Sequence, residues 1–195
     1  MLSRALDLSL ALIALIAGFF LAWHYPIGQF VVPSLFLATS ALAFYRPSWF
    51  LVIIPALLPI MGLAPWTGWI TFEEVDILVL AAAAGGYARI AASTRPVVVS
   101  KRGWLVPALV GMMMLSIIIS MTRGFSDSGG FVFGWYQGYD GPMNSIRIGK
   151  SFFLALLLIR LIEHLRCDVT QHIDRKLAWG MALGLGAASL AAIWE

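Results

Sequence analysis

Apolar blocks of about bilayer length, parted by short polar connections that hold most of the bases, constrain this chain more than any motif in it does. A run of ~20 apolar residues crosses the ~30 Å hydrocarbon layer as a helix. Lipid offers the backbone no hydrogen-bond partners, so a spanning segment must satisfy itself as a helix or within a closed barrel. No stretch shows the alternation of an outer-membrane barrel. The expectation is therefore an all-α, polytopic membrane bundle. Composition agrees: 12% of the 195 residues are charged, against roughly a quarter in a soluble domain.

The blocks predict seven spans, near residues 6–23, 27–45, 49–63, 72–92, 104–121, 142–165 and 177–194. Ser3-Arg4 and the run behind it resemble a signal peptide. No small-residue cleavage site precedes Trp23-His24-Tyr25-Pro26, so the segment reads as a retained span. Asp7 is expected at its edge, within reach of water. Pro55 and Pro59 remove two backbone donors from the third span and predict a kink or a break. Thr71-x-x-Glu74 fits a capping box with Ile70 and Val75 as its staple, so the fourth span should open near Phe72.

Bases set the orientation. With the N-terminus in the cytoplasm, ten Lys and Arg fall on the inner side, and Arg123, Arg147 and Lys150 on the outer. Two loops, about 64–76 and 122–143, then share the extracytoplasmic side. The net charge of +3 arises from these topology bases and does not point to nucleic acid. One cysteine, Cys167, excludes an internal disulfide and a Cys-based metal site. The histidines show no zinc spacing, so neither a metal nor a cofactor is expected. The chain stops at the outer end of an odd-numbered span, which predicts the N-terminal part of a longer membrane protein.

Any chemistry should lie on that outer side. Asn144, Arg147 and Ser151 share a helix face by their spacing, with Lys150 beside them. At a helix start they could hold a phosphate or pyrophosphate, with Arg147 as a bidentate clamp. Snorkelling, or pairing with Asp140 or an acid of the 64–76 loop, accounts for the same bases. Glu73 and Glu74 are adjacent and point ~100° apart, so they are no facing pair. Either is a general base only with a second group from elsewhere, and capping explains both. Trp66, Trp69, Trp135, Tyr136 and Tyr139 could stack on sugar rings or form an interfacial belt.

The strings Leu63-Ala-Pro-Trp-Thr-Gly-Trp-Ile-Thr-Phe-Glu-Glu-Val-Asp76, Ala84-Gly-Gly-Tyr-Ala-Arg89 and Gly138-Tyr-Asp-Gly-Pro-Met-Asn-Ser-Ile-Arg147 resemble the N-terminal half of bacterial O-antigen ligase and O-antigen polymerase-like membrane proteins. That resemblance implies a multi-pass inner-membrane glycosyltransferase, inverting and metal-independent. It would take a glycan from an undecaprenyl-pyrophosphate carrier at the periplasmic face. The family's arginine- and histidine-bearing loop belongs to its second half, so no catalytic residue is carried over.

The substrate-binding candidates are Arg147, Lys150, Asn144 and Arg123 for the pyrophosphate, Tyr139, Trp66, Trp69 and Glu73 for the glycan, and Asp140 beside them. Expected partners are membrane lipid, the lipid-linked glycan and polysaccharide-assembly proteins. Two other functions fit the sequence: a transporter or flippase of a lipid-linked or anionic solute, and a non-catalytic subunit of a polysaccharide machine. The transporter predicts charges deep in the spans, where Arg160 and Glu163 come nearest.

Overall fold

The computed structural model describes residues 2–25, 30–61, 72–93, 104–127, 144–166 and 172–194. They form seven helices: α1 Leu2–Trp23, α2 Val31–Tyr45, α3 Phe50–Met61, α4 Glu74–Ala92, α5 Leu105–Asp127, α6 Asn144–Arg166 and α7 Ile173–Trp194. No strand occurs among the described residues. Four of the helices (α1, α4, α5 and α7) are long and apolar enough to cross a membrane. Two of the remaining expected spans are shorter, α2 with 15 residues and α3 with 12. The last, α6, has 23 residues but carries Arg147, Lys150, Arg160 and Glu163.

Cross-contacts give the direction of the helices. Phe36 and Ser40 of α2 lie against Gly18 of α1 and Gly85 of α4. Tyr25, just past α1, meets Glu74 at the start of α4, while Asp7 meets Arg160 near the end of α6. So α1 runs against α4 and α6, and α2 runs with them. The first residues of α3 and α7, Phe50 and Ile173, share a core with Ile90 and Leu165 at the ends of α4 and α6. Met121, late in α5, packs on Gly149, early in α6. Successive helices therefore alternate in direction. The end of α3 and the start of α4 fall at the Tyr25 end, as do the end of α5 and the start of α6. Both expected outer loops join helix ends on that one side.

The core is built on α4, which packs against α1, α2 and α6. Its run Ala81-Ala82-Ala83-Ala84-Gly85-Gly86 is wholly buried. Small side chains let neighbouring backbones approach, which is how helices associate where lipid removes the hydrophobic drive. A β-carbon on Gly85 would lie 2.0 Å from the carbonyl oxygen of Ser40. By contrast, none of the apolar window of α5 is buried. Most of its methionines, leucines and isoleucines are exposed, as in a helix solvated by lipid.

The two prolines neither break α3 nor interrupt its assignment; it is one helix from Phe50 to Met61. Pro55 and Pro59 lack the N–H groups that would bond the carbonyls of Leu51 and Pro55, four residues back. Those two carbonyls face α7 at Gly180 and Gly184, where a β-carbon would come within 2.6 and 2.4 Å of them. The glycines form a G-x-x-x-G face that admits the bare carbonyls. A neighbouring helix thus stabilises the donor-poor one.

Three further expectations shift. The box at the start of α4 is Glu73/Asp76, not Thr71/Glu74. Glu73 is the extended N-cap, and its N–H donates to Asp76 Oδ2 at 2.7 Å. Asp76 can therefore cap the helix and still serve a partner across the bundle. The fifth helix continues past Arg123 to Asp127, so Arg123 is an exposed helical residue and not part of a loop. Asp7 does not reach water: it is 1% exposed, because α6 supplies it with a cation.

Candidate functional site

Where α1 ends and α4 and α6 begin, six polar side chains gather: Tyr25, Glu73, Glu74, Asp76, Arg147 and Lys150. Glu73 and Asp76 are one turn apart on α4, and Arg147 and Lys150 are one turn apart on α6. Because α4 and α6 run parallel, the equal spacings match and form two rungs. Arg147 donates from Nε and Nη2 to Glu73 Oε1, at 3.1 and 3.0 Å. Lys150 Nζ donates to Asp76 Oδ2 and lies 5.3 Å from the centre of the Phe72 ring.

Burial separates the rungs. Lys150 and Asp76 have side chains 10% and 8% exposed, whereas Arg147 and Glu73 are 25% and 41% exposed. A buried pair cannot lose one partner without stranding the other charge, at a cost of about 3–5 kcal/mol. A half-exposed pair contributes only about 0–1 kcal/mol, since water competes for both partners. The inner rung is therefore a fixed link between α4 and α6, and the outer one can exchange.

The third acid, Glu74, accepts a 2.5 Å hydrogen bond from the Tyr25 hydroxyl. Burial first, and then Glu74, hold the Tyr25 phenol above its ordinary range. Three carboxylates against two cations leave the cluster with a formal charge of −1 among the described residues.

The expected residues are thus partly assembled. Arg147, Lys150 and Glu73 come together, but the two bases meet acids of α4 instead of forming an open cationic clamp. That is the pairing the sequence left open, with Glu73 and Asp76 as the acids of the 64–76 segment that supply it. Asn144 is the first residue of α6, and Arg123 stands exposed on α5. Trp66, Trp69, Tyr139 and Asp140 lie outside the described residues.

The sequence reading did not single out Tyr25 or the Asp76–Lys150 pair. The matching three-residue spacings of Glu73/Asp76 and Arg147/Lys150 were the available signal. It also missed the mate of Arg160. Arg160 donates from Nε at 3.1 Å and Nη2 at 2.6 Å to Asp7 Oδ1, leaving Asp7 Oδ2 buried with no hydrogen-bond partner among the described residues. One turn away, the Tyr87 hydroxyl donates to the Leu157 carbonyl at 2.6 Å.

The chain matches no protein-family model, no curated protein and no solved structure.

Proposed function

We propose that the chain crosses the bacterial inner membrane with all seven helices, N-terminus in the cytoplasm. We further propose that it forms part of a polysaccharide glycosyltransferase of the kind the O-antigen ligases and polymerases represent. The Tyr25 end then faces the periplasm, where an undecaprenyl-pyrophosphate-linked glycan would be met. The alternating helix directions and the ten-to-three division of bases support the topology.

The observation that carries the site is the contrast between the rungs. Lys150 is held by Asp76 in the interior and positions α6. Arg147, on the same face one turn out, is paired with a half-exposed carboxylate that a diphosphate can displace. Its guanidinium then meets two phosphate oxygens side by side. In the transfer step the bond from the sugar carbon to the pyrophosphate oxygen breaks as the acceptor oxygen bonds to that carbon. The leaving pyrophosphate gains charge, which Arg147 stabilises without a metal. Released Glu73 is placed to take the acceptor's hydroxyl proton.

Undecaprenyl pyrophosphate added to the full chain in detergent, followed by native mass spectrometry, tests this. Arg147→Ala should weaken binding about ten- to a hundredfold, as expected for hydrogen bonds to a charged group. Glu73→Gln should strengthen binding, because a competing anion is gone. Unchanged binding in Arg147→Ala, or weaker binding in Glu73→Gln, removes Arg147 from the site.

A second reading, the transporter, draws on the Asp7–Arg160 pair. A salt bridge between two helices, with one carboxylate oxygen unpartnered among the described residues, is the feature such a protein needs. Solute counterflow in proteoliposomes that disappears in Asp7→Asn, with Arg147→Ala unaffected, would favour it over the enzyme.

A further inference from the structure

Nearly every cation with an assigned contact in this bundle is matched by an opposite charge or an aromatic face: Arg147 by Glu73, Lys150 by Asp76, Arg160 by Asp7, and Arg89 by the Phe44 ring. One corner of the Asp7 end departs from this. Residues 46–49 form the tight turn from α2 to α3, in which the Trp49 N–H donates to the Arg46 carbonyl at 3.0 Å. From α7, Lys176 reaches into that turn and donates to the Oγ of buried Ser48. Arg46, in the same turn, lies close enough to Lys176 for the two positive charges to repel.

Two acids of this end, Asp174 and Asp7, are turned elsewhere. Asp174 is two residues from Lys176, so the side chains leave α7 on roughly opposite faces. Asp7 is engaged by Arg160. Two chain segments that are distant in sequence thus bring Lys176 onto the Ser48 hydroxyl, two residues from a second base, Arg46. Such an arrangement is unfavourable alone and favourable around an anion.

The surroundings specify which anion. Tyr45 precedes Arg46 and is 72% exposed. Trp49 follows Arg46 by one turn, and Trp179 follows Lys176 by one turn; both are exposed. Amphipathic rings of this kind sit at headgroup depth, with acyl chains on one side and water on the other. A soluble phosphate has no use for them. The starts of α3 and α7 at the same corner add the positive ends of two helix dipoles.

We propose that the Arg46–Ser48–Lys176 corner binds the phosphate headgroup of an anionic phospholipid, whose acyl chains lie against Tyr45, Trp49 and Trp179. The site depends on neither the orientation of the chain nor the enzyme reading. Its occupant would hold the α2–α3 turn to the start of α7, in the same way that Asp76 and Lys150 hold α4 to α6.

The full chain in phosphatidylcholine vesicles, with and without phosphatidylglycerol, tests it. Spin-labelled phosphatidylglycerol should associate in preference to labelled phosphatidylcholine. Arg46→Gln and Lys176→Gln should each cut that preference about fivefold, the worth of one base near a charged membrane surface. Lys176→Arg should keep it. Arg175→Gln, which removes a neighbouring exposed base, should leave it unchanged. An equal fall in Arg175→Gln reduces the effect to general surface charge and overturns the site. So does an unchanged preference in Arg46→Gln, an exposed position where folding is not at stake. Full displacement of the lipid by inorganic phosphate at equal concentration makes it a soluble-anion site and overturns the lipid assignment.

Discussion

At the start of α6, Arg147 and Lys150 each meet a carboxylate from α4; at the α2–α3 turn, Lys176 meets the Ser48 hydroxyl, two residues from a second base, Arg46. The first region closes its charges within the protein, so its stability is internal and its binding must begin by displacing Glu73. The second sets a base on a hydroxyl beside another base, and on our proposal a lipid headgroup supplies the counter-charge. Counting bases along the sequence treats the two regions alike, as topology signals. Only the presence or absence of facing acids separates a structural link from a recognition surface.

The sharpest way to break this comparison is Lys150→Met. It should destabilise the bundle by about 3–5 kcal/mol, since Asp76 is left buried and charged. Thermal unfolding in detergent checks it, and Asp76→Leu added to Lys150→Met should restore most of the loss. If the single variant melts like the parent, the inner rung is not a fixed link.

Gly180→Ala comes next. A methyl placed against the Leu51 carbonyl must push α7 off α3, at about 1–3 kcal/mol. Cysteine cross-linking between α3 and α7 should weaken in parallel.

Tyr25→Phe should cost about 1.5–3 kcal/mol at neutral pH, because Glu74 loses its hydroxyl donor. The pH profile separates this from lost packing. The folded phenol holds its proton more tightly than the unfolded one, whose ordinary value is 10.0. The contribution of Tyr25 is therefore whole below pH 10 and is lost as pH rises above it. Parent and Tyr25→Phe should converge in unfolding temperature as pH rises past that value; parallel curves would deny the Glu74 bond its role.

The smallest effects compare the two regions directly. Arg147→Gln should cost at most about 1 kcal/mol, as for a half-exposed pair. Arg46→Gln should raise stability by about 0.3 kcal/mol in neutral detergent, by relieving a like-charge contact. Opposite signs in the two melting curves sharpen the comparison. The same sign in both would mean that Arg46 has an acid partner after all.

Much of the fold was legible in the chain. Apolar length and the positions of bases gave the helices to within a few residues. Both expected outer loops connect helix ends on one side of the bundle. The candidate site was half legible. Arg147, Lys150 and Glu73 could be named because charges at span ends stand out against apolar sequence. Pairing with an acid of the 64–76 segment could be named as one outcome. Which base meets which acid could not, because Glu73 and Asp76 are 74 residues from their partners and no local pattern sets which helix lies beside which. Asp7 was misplaced for the same reason. Near a helix start an acid normally reaches water, and only the arrival of Arg160, 153 residues away, makes its burial affordable.

The sequence by itself determined that the chain forms apolar helices, because lipid-length blocks leave the backbone no other way to satisfy its hydrogen bonds. It also determined where the small residues and prolines fall. The tertiary structure alone decided that α4 is central, that Gly180 and Gly184 receive the carbonyls freed by Pro55 and Pro59, and that some bases face acids while others face bases. Those outcomes depend on packing in three dimensions. A charge or a bare carbonyl in a low-dielectric interior takes its energy from whatever stands opposite it, and position along the chain does not specify that partner.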